Sequence, residues 1–385
     1  MTGVGTVPNV LHVNTAKTWR GGEQQMVYLL KGLYARGLRA EVVCLPRSPA
    51  AERSRAAGAT VNELSMRFEF DPVAAFRLAG LARRGGFNIL HTHTAHAHSI
   101  AWMARRFLGA DCRLIVHRRI EFRPRRGIFG LGSRKYRRRV DAFIAISNRL
   151  KEILVEAGVE PWRVFTVRSV TDPERFLKAE PNPALRHALG IPEDAFVVGN
   201  IGYLVGHKDH VNLVEAAAVA IREIPGLRVV IVGSGPLKDK IEARARELGI
   251  AERVVLTGFR DDVPQLIQMF DLFALSSSEE GICSTLMDVM ATGRPIVATN
   301  AAGVREAVLD GETGIVVPIK DPAALAAGIV RLHRDKDTAR QMVERGRERV
   351  LRHFTAEVLT EKTIAVYQRV LAGEVGPDFP IPPEP

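Results

Sequence analysis

Short apolar runs alternate with helix-length periodic segments along most of this chain, and they do so in two separate series. The first series places its apolar runs at residues 10–13, 40–45, 61–64, 88–91, 113–116 and 142–145. The second places them at 197–201, 229–232, 254–256, 272–275, 296–298 and 314–317. Runs this short, bounded by turn residues, read as strands. Strands joined through helices build parallel sheets covered on both faces. Between the two series, residues 172–192 hold Pro173, Pro181, Pro183 and Pro192, which reads as an interdomain linker. The pattern predicts an α/β chain of two Rossmann-like domains, 1–178 and 189–352. A helix over 353–373 and a flexible Pro-rich tail over 374–385 follow. A length of 385 residues suits two domains of roughly 150–200 residues each. Sheets of this kind bind ligands outside the carboxyl ends of their strands.

The loops at those strand ends carry the informative chemistry. The run 272–275 leads into Ser276-Ser-Ser-Glu-Glu-Gly-Ile-Cys-Ser-Thr-Leu-Met-Asp288, which reads as strand, polar loop, helix. Glu280 stands in the loop beside Gly281, Ile282 and Cys283. Ser284 and Thr285 are favoured helix N-cap types. A helix start there offers free N–H groups and positive dipole to an anion. Asp288, about one turn into the helix, is in reach of hydroxyls next to that anion. A carboxylate, an anion site and a second carboxylate suit the sugar, diphosphate and ribose of a nucleotide-sugar.

Other strand ends add to this set. Gly202 leads into Tyr203 and Lys208, whose flexible ammonium can pair with a diphosphate. Taken alone, Lys208 also reads as an ordinary surface lysine. Gly21 and Gly22 follow the first strand and permit close backbone approach to a phosphate, with a structural turn as the alternative. Gly233-Ser-Gly-Pro236 reads mainly as a structural turn, and residues 300–306 as a second donor-side loop.

Composition narrows the class. The hydrophobic fraction of 46% is ordinary for a globular chain. No apolar run reaches the ~18 residues of a membrane-spanning helix. The N-terminal residues lack the basic and long apolar regions of a signal peptide. Cys44, Cys112 and Cys283 are far apart and odd in number. That argues against a disulfide framework or structural zinc and fits a reducing cytoplasm. The net charge of +11 is concentrated, because residues 105–151 hold 15 Lys/Arg against three acids. Ile128, Phe129 and Leu131 lie amid those basic residues. Basic residues around an apolar tip suit an anionic membrane surface, here the inner face of the plasma membrane. A solvated basic loop is the plain alternative. Few aromatics interleave the arginines and no nucleic-acid motif accompanies them, so nucleic acid is not an expected partner.

Taken in order, these residues resemble the retaining glycosyltransferases of family 4. The carrying motifs are Gly202 through Lys208-Asp209, Thr257-Gly-Phe-Arg-Asp-Asp262, Glu280-Gly281 with Asp288, Met290-Ala-Thr-Gly-Arg-Pro295, Gly303-Val-Arg-Glu306 and Asp310-Gly-Glu-Thr-Gly314. They cover most of residues 196–318. The first half resembles the family more loosely, through Arg20-Gly-Gly-Glu23, Ile89-Leu-His-Thr-His93, Ile115-Val-His117 and Ile144-Ala-Ile-Ser147. The resemblance implies the GT-B fold: two Rossmann-like domains facing each other across a cleft, with the C-terminal helix crossing back to the first domain. It implies transfer of a sugar from a UDP-sugar or GDP-sugar to an acceptor hydroxyl, with no cofactor and no essential metal. A lipid-linked or cell-envelope glycan is the expected acceptor.

Residue by residue, the resemblance makes Glu280 the first carboxylate of the family's E-x7-E motif and Lys208 the diphosphate lysine. Gly21 and Gly22 match the phosphate loop. His117 matches an acceptor-side histidine, with His93, Arg118 and Arg119 on the same side. Two positions depart from the pattern. Asp288 stands where a second glutamate is usual, and Tyr203 where an arginine is usual. Arg20 or Arg305 is then the candidate to supply the missing charge. Ser169-Val-Thr-Asp172 also departs and carries only linker meaning.

His91, His93, His96 and His98 leave three readings open: a metal cluster, the lining of an acceptor site, or structural histidines. Two rival functions also stay open, a nucleotide-sugar 2-epimerase of the same fold and a non-catalytic sugar-nucleotide-binding protein.

Overall fold

The computed structural model describes residues 6–108, 112–119, 136 and 138–379. Ile128, Phe129 and Leu131, expected to meet a membrane, lie outside the described residues, as does 380–385 of the tail. The chain forms two compact units, Met1–Ser169 with Ala356–Pro385, and Val170–Thr355.

The first unit is built on a seven-stranded sheet of β1 (Val10–Asn14), β2 (Ala40–Cys44), β3 (Thr60–Glu63), β4 (Ile89–Thr92), β5 (Arg113–Arg118), β6 (Ala142–Ala145) and β7 (Val164–Thr166). Their order is β3-β2-β1-β4-β5-β6-β7, every pairing parallel. The second unit has six strands, β8 (Phe196–Ile201), β9 (Leu227–Val232), β10 (Val254–Gly258), β11 (Leu272–Leu275), β12 (Ile296–Thr299) and β13 (Ile315–Val317). Their order is β10-β9-β8-β11-β12-β13, again all parallel. Central strands such as β1, β4 and β11 are buried along their whole length. That is why they read as continuous apolar runs rather than alternating ones. In each sheet the strand order reverses once, at β1/β4 and at β8/β11. Such switch points leave a crevice at the carboxyl ends, and the candidate residues gather there.

Helices His210–Ala220 and Pro322–Arg334 cover one face of the second sheet. Leu213, Val214, Leu325 and Ile329 from these helices pack with Val198, Val229, Ile231 and Ala274 from the strands. Cutting one such leucine to alanine costs about 2–5 kcal/mol, so the strand ends stand on a rigid base.

The boundary differs from the one expected. The first unit's leading segment ends at Ser169, before residue 178. Residues 172–192 are not an open linker. They form helices Pro173–Leu177 and Ala184–Ala188 within the second unit. Proline costs nothing at the first helical position, so a proline cluster there starts a helix. Phe176 is buried, Thr171 N donates to Phe354 O at 2.9 Å, and Arg186 pairs with Asp271 at 3.2 Å. The last helix, Ala356–Ala372, belongs to the first unit and packs on helix Gly21–Ala35. The tail is not free over 374–379, because Arg369 Nη2 donates to Phe379 O at 2.9 Å.

Candidate functional site

In the second unit, β8 runs into Gly202, Tyr203 and a short 3-10 turn, Gly206–Lys208. Asp209 follows with φ of 47°, a left-handed backbone that costs a non-glycine residue roughly 1–2 kcal/mol. Bonds from the β11 loop hold this turn. Ser276 Oγ donates to Lys208 O at 3.0 Å, and Ser278 N donates to His207 O at 2.8 Å. The turn sets Lys208 Nζ 2.5 Å from Glu280 Oε1, which also accepts from Ser277 Oγ at 2.6 Å. The Lys208 side chain is only 17% exposed and that of Glu280 9%. Burial opposes the ammonium, yet the neighbouring Cys283 and Glu280 outweigh it and hold the Lys208 pKa above the ordinary lysine value. Burial pushes the Cys283 thiol itself up to about 11. Cys283 is therefore neutral at pH 7, and Glu280 is the operative counter-charge.

The expected strand, loop and helix are present, with one change at the helix start. The N-cap of helix Ser284–Thr292 is Cys283, without a side-chain cap bond; Ser284 and Thr285 are its first helical residues. Leu286 N donates to Cys283 O at 3.0 Å, which leaves the N–H groups of the first two helical residues, Ser284 and Thr285, as those that can turn to an anion. Ile282 is buried, whereas Gly281, Ser284 and Thr285 are partly exposed. Gly303 closes this loop, donating its N–H to Glu280 O at 3.0 Å. A Cβ at Gly303 would fall 1.7 Å from Gly281 O, so only glycine fits. Gly202 lies along the Lys208 stem, 3.6 Å from Cδ to a built Cβ.

Asp288 is less open than expected. Burial pushes its carboxyl up to about 7, with Thr171 and Arg175 pulling the other way. Its helix packs on helix Pro173–Leu177. Tyr203 is 43% exposed. Arg305 is an exposed residue of helix Val304–Ala307, and Arg20 is the N-cap of helix Gly21–Ala35 in the first unit. His210 was not singled out from the sequence. It is buried, with neither ring nitrogen partnered among the described residues. Its Nε2 lies 3.8 Å from a Cβ built on Gly202, and burial, then Lys208 and His207, lower its pKa to about 4.

In the first unit, β1, β4 and β5 bring four imidazoles together. His12 and His91 are register partners on adjacent strands. His93 follows β4 and lies 4.4 Å from His91 between ring centroids, and His91 stacks on His117 at 5.5 Å. His12 Nδ1 and His93 Nε2 are 2.9 Å apart, and His91 Nδ1 meets Tyr367 Oη at 2.6 Å. Burial lowers all four pKa values, that of His12 to about 3. Near pH 7 these rings are neutral, each with one donor and one acceptor nitrogen.

Arg119 lies over this cluster. Its Nη2 is 3.3 Å from His117 Nδ1 and 3.4 Å from His93 Nδ1, while Nε and Nη1 have no partner among the described residues. Burial lowers its pKa to about 10, against a raising charge on Glu23, so it stays cationic at pH 7. The side chain crosses the start of helix Gly21–Ala35, where a Cβ at Gly22 would come 3.1 Å from Arg119 Cδ. Gly21 is exposed at the same helix start. Arg118 is buried, with its guanidinium 5.8 Å from the centre of the Tyr136 ring.

The four-histidine metal reading does not assemble. His96 Nε2 meets Phe68 O at 2.5 Å, and His98 packs edge-on against Tyr136 at 5.2 Å. Instead His12, His91 and His93 hold ligand atoms within 4.8 Å of one another, a spacing open to a metal ion. The guanidinium of Arg119 beside His93 works against a cation there.

The comparisons with known proteins agree across both units. Residues 181–349 match the model of glycosyl transferases group 1, and residues 19–175 that of Glycosyltransferase Family 4. A putative glycosyltransferase EpsD of Bacillus subtilis is 34% identical over 190 residues. That match covers 49% of this chain and 50% of the relative, so the chain spans about half that relative's length. The N-acetyl-alpha-D-glucosaminyl L-malate synthase of Bacillus anthracis is 28% identical over 324 residues, covering 81% of this chain and 83% of that protein. Among solved structures, Anabaena Alr3699/HepE in complex with UDP and glucose has a TM-score of 0.83 at 20% identity, over 94% of this chain and 99% of that one. This shows the fold to be GT-B. With one family model on each unit, the chain belongs to glycosyltransferase family 4.

Proposed function

We propose that this enzyme transfers a sugar from a nucleoside diphosphate sugar to an acceptor hydroxyl, with retention at the anomeric carbon and without an essential metal. The observation that carries the reading is the buried Lys208–Glu280 pair at the β8/β11 switch point, beside an uncapped helix start. A diphosphate arriving there takes over the ammonium and the free N–H groups of helix Ser284–Thr292. Freed Glu280 then faces the sugar hydroxyls. As the sugar departs, negative charge grows on the leaving phosphate, where Lys208 stabilises it at no reorganisation cost. The leaving phosphate oxygen takes the proton of the acceptor hydroxyl, so no covalent nucleophile is required. His210, neutral and unpartnered, is placed to donate a hydrogen bond on the same side.

UDP is the favoured base carrier, since the structural relative was solved with UDP and glucose. The first unit's strand ends carry the acceptor in this proposal. Neutral His117 and His93 suit a hydroxyl, and cationic Arg119 suits an acceptor that also bears negative charge. The curated relative named for L-malate has an anionic acceptor, and the phosphate of a lipid-linked envelope glycan has the same charge sign. Among the described residues no helix is long and apolar enough to cross a membrane. Contact with such a glycan therefore calls for a peripheral surface. The test is turnover of UDP-glucose and UDP-N-acetylglucosamine on a panel of neutral and phosphorylated acceptors. Epimerised free sugar from donor alone, or nucleotide binding with no turnover on any acceptor, would replace this reading.

A further inference from the structure

The first unit carries a surface that neither its sheet nor its strand-end site uses. Helix Pro72–Arg84 buries Ala74, Ala75, Leu78, Ala79 and Ala82. Its opposite stripe, at helical spacing, reads Val73, Phe76, Arg77, Gly80, Arg83 and Arg84. Val73 is 59% exposed and Phe76 67%. Phe107, just beyond the neighbouring helix Ala95–Ala104, is 43% exposed and sets its ring edge-on to Phe76, with centroids 6.0 Å apart. Arg83 Nη2 donates to Phe107 O at 2.5 Å and fixes these two segments together. Phe68, 69% exposed, precedes the helix, its carbonyl held by His96 Nε2 at 2.5 Å. One exposed apolar side chain needs no explanation, but a pair of exposed aromatic rings held edge to face beside exposed Val73 marks an interaction surface.

The charge around these rings is net positive among the described residues, with five arginines against Glu69 and Asp71. Arg67, Arg77, Arg83, Arg84 and Arg106 are exposed, and none of them forms an ion pair among the described residues. The nearby acids are already engaged. Glu69 accepts from Ser99 Oγ at 3.1 Å, and Asp71 accepts from Ala74 N at 2.9 Å and Arg67 N at 3.3 Å. A second copy of this face would bring arginines against arginines. A surface of negative charge over an apolar layer complements both features at once.

We propose that this face docks on an anionic lipid surface. The Phe76 and Phe107 rings enter the interfacial layer, and the arginines meet lipid phosphates. The inference deepens the peripheral reading above and rests on it.

The test is flotation of the full chain with phosphatidylcholine vesicles, with and without phosphatidylglycerol. The wild type is expected to float with the anionic vesicles and to stay behind with the neutral ones. Phe76→Ser with Phe107→Ser should lower binding at least about tenfold, and Arg77→Gln with Arg84→Gln should lower it and flatten its salt dependence. All these positions are exposed, and an unchanged melting temperature checks the fold of each variant. Equal binding to neutral vesicles overturns the proposal, as does no binding at all. So do variants that float like wild type, and so does a concentration-dependent dimer abolished by the phenylalanine changes. The thermal shift with UDP is measured alongside. Its loss with flotation intact would fail the donor-site reading and leave this surface standing.

Discussion

At the carboxyl ends of β8 and β11 the polar groups are charged and paired, whereas at the ends of β1, β4 and β5 they are mostly neutral rings beneath one guanidinium. The pair Lys208–Glu280 neutralises itself, so it survives burial, and in the proposed reaction it exchanges its partner for a diphosphate. The cluster of His12, His91, His93 and His117 survives burial differently, by staying unprotonated. A site of fixed opposite charges suits a leaving group on which charge develops. A site of neutral donors and acceptors suits a hydroxyl that must be oriented before it reacts. The two units share a sheet plan, and in the proposed reaction the difference between their strand ends gives them different tasks.

The largest effects should come from the charged pair. Lys208→Ala and Glu280→Gln are each expected to lower turnover by about 10³-fold or more, as loss of oxyanion-type stabilisation does elsewhere. Glu280→Gln also strands a buried ammonium, at about 3–5 kcal/mol of stability. The double change Lys208→Met with Glu280→Leu should recover that stability and none of the activity. Urea melts beside initial rates check both halves, and a double variant that regained turnover would break the comparison.

Next comes the neutral cluster. His117→Ala should cut transfer to acceptor by about 10²-fold with UDP affinity unchanged, measured by initial rates over an acceptor range and by UDP titration. A loss of UDP affinity instead would move His117 to the donor's side.

The cluster also sets a pH response. The His12 pKa falls from an unfolded value of about 6.5 to about 3 on folding. Between those values the unfolded chain binds the proton and the folded one does not. Stability is therefore full above pH 6.5 and falls as pH drops, by up to about 1.4 kcal/mol per pH unit for each such ring. Urea unfolding at pH 7.5, 6.5 and 5.5 should show this slope, and His12→Asn should flatten it.

Asp288 gives the smallest effect, with the opposite sign. Its folded pKa is raised to about 7, so between its unfolded value and pH 7 the folded protein holds a proton that the unfolded chain releases. Its stabilising contribution is lost as pH rises through that window. Asp288→Asn should melt above wild type at pH 5 and further above it at pH 8, the gap widening by up to about 1.4 kcal/mol per pH unit until pH 7. Equal melting temperatures at both values would mean that the carboxyl is hydrated in the fold.

Much of the sheet architecture was legible because central parallel strands are buried on both faces, as the expected run 272–275 and β11 illustrate. Strand β7 was missed because Val164–Thr166 is short and ends in a polar residue, whereas the equally short β13, Ile315–Val317, is wholly apolar. The proline cluster misled because proline at a first helical position begins a helix, as Pro173 does. In the second unit, the grouping of Glu280, Lys208 and Gly303 could be read from local order, since strand, loop and helix follow one another in the chain. Cys283 as the N-cap was not legible, because cysteine has no capping preference to announce it. Unlike that loop, the first unit's cluster joins residues distant in sequence. His91 meets Tyr367 across 276 positions, and His12 reaches His93 only through strand register. His210 was hidden for another reason. A histidine after a lysine-bearing turn has no signal until burial leaves both its nitrogens unpartnered.

In the proposed reaction the β8/β11 end binds the nucleoside diphosphate through Lys208. Thermal unfolding of the wild type and Lys208→Ala, each with and without UDP, tests it most directly. A ligand at a hundredfold its Kd stabilises by about 2.7 kcal/mol. A rise of several degrees is expected for the wild type with UDP and almost none for Lys208→Ala at the same concentration. An equal rise in both proteins, or none in the wild type, would contradict it.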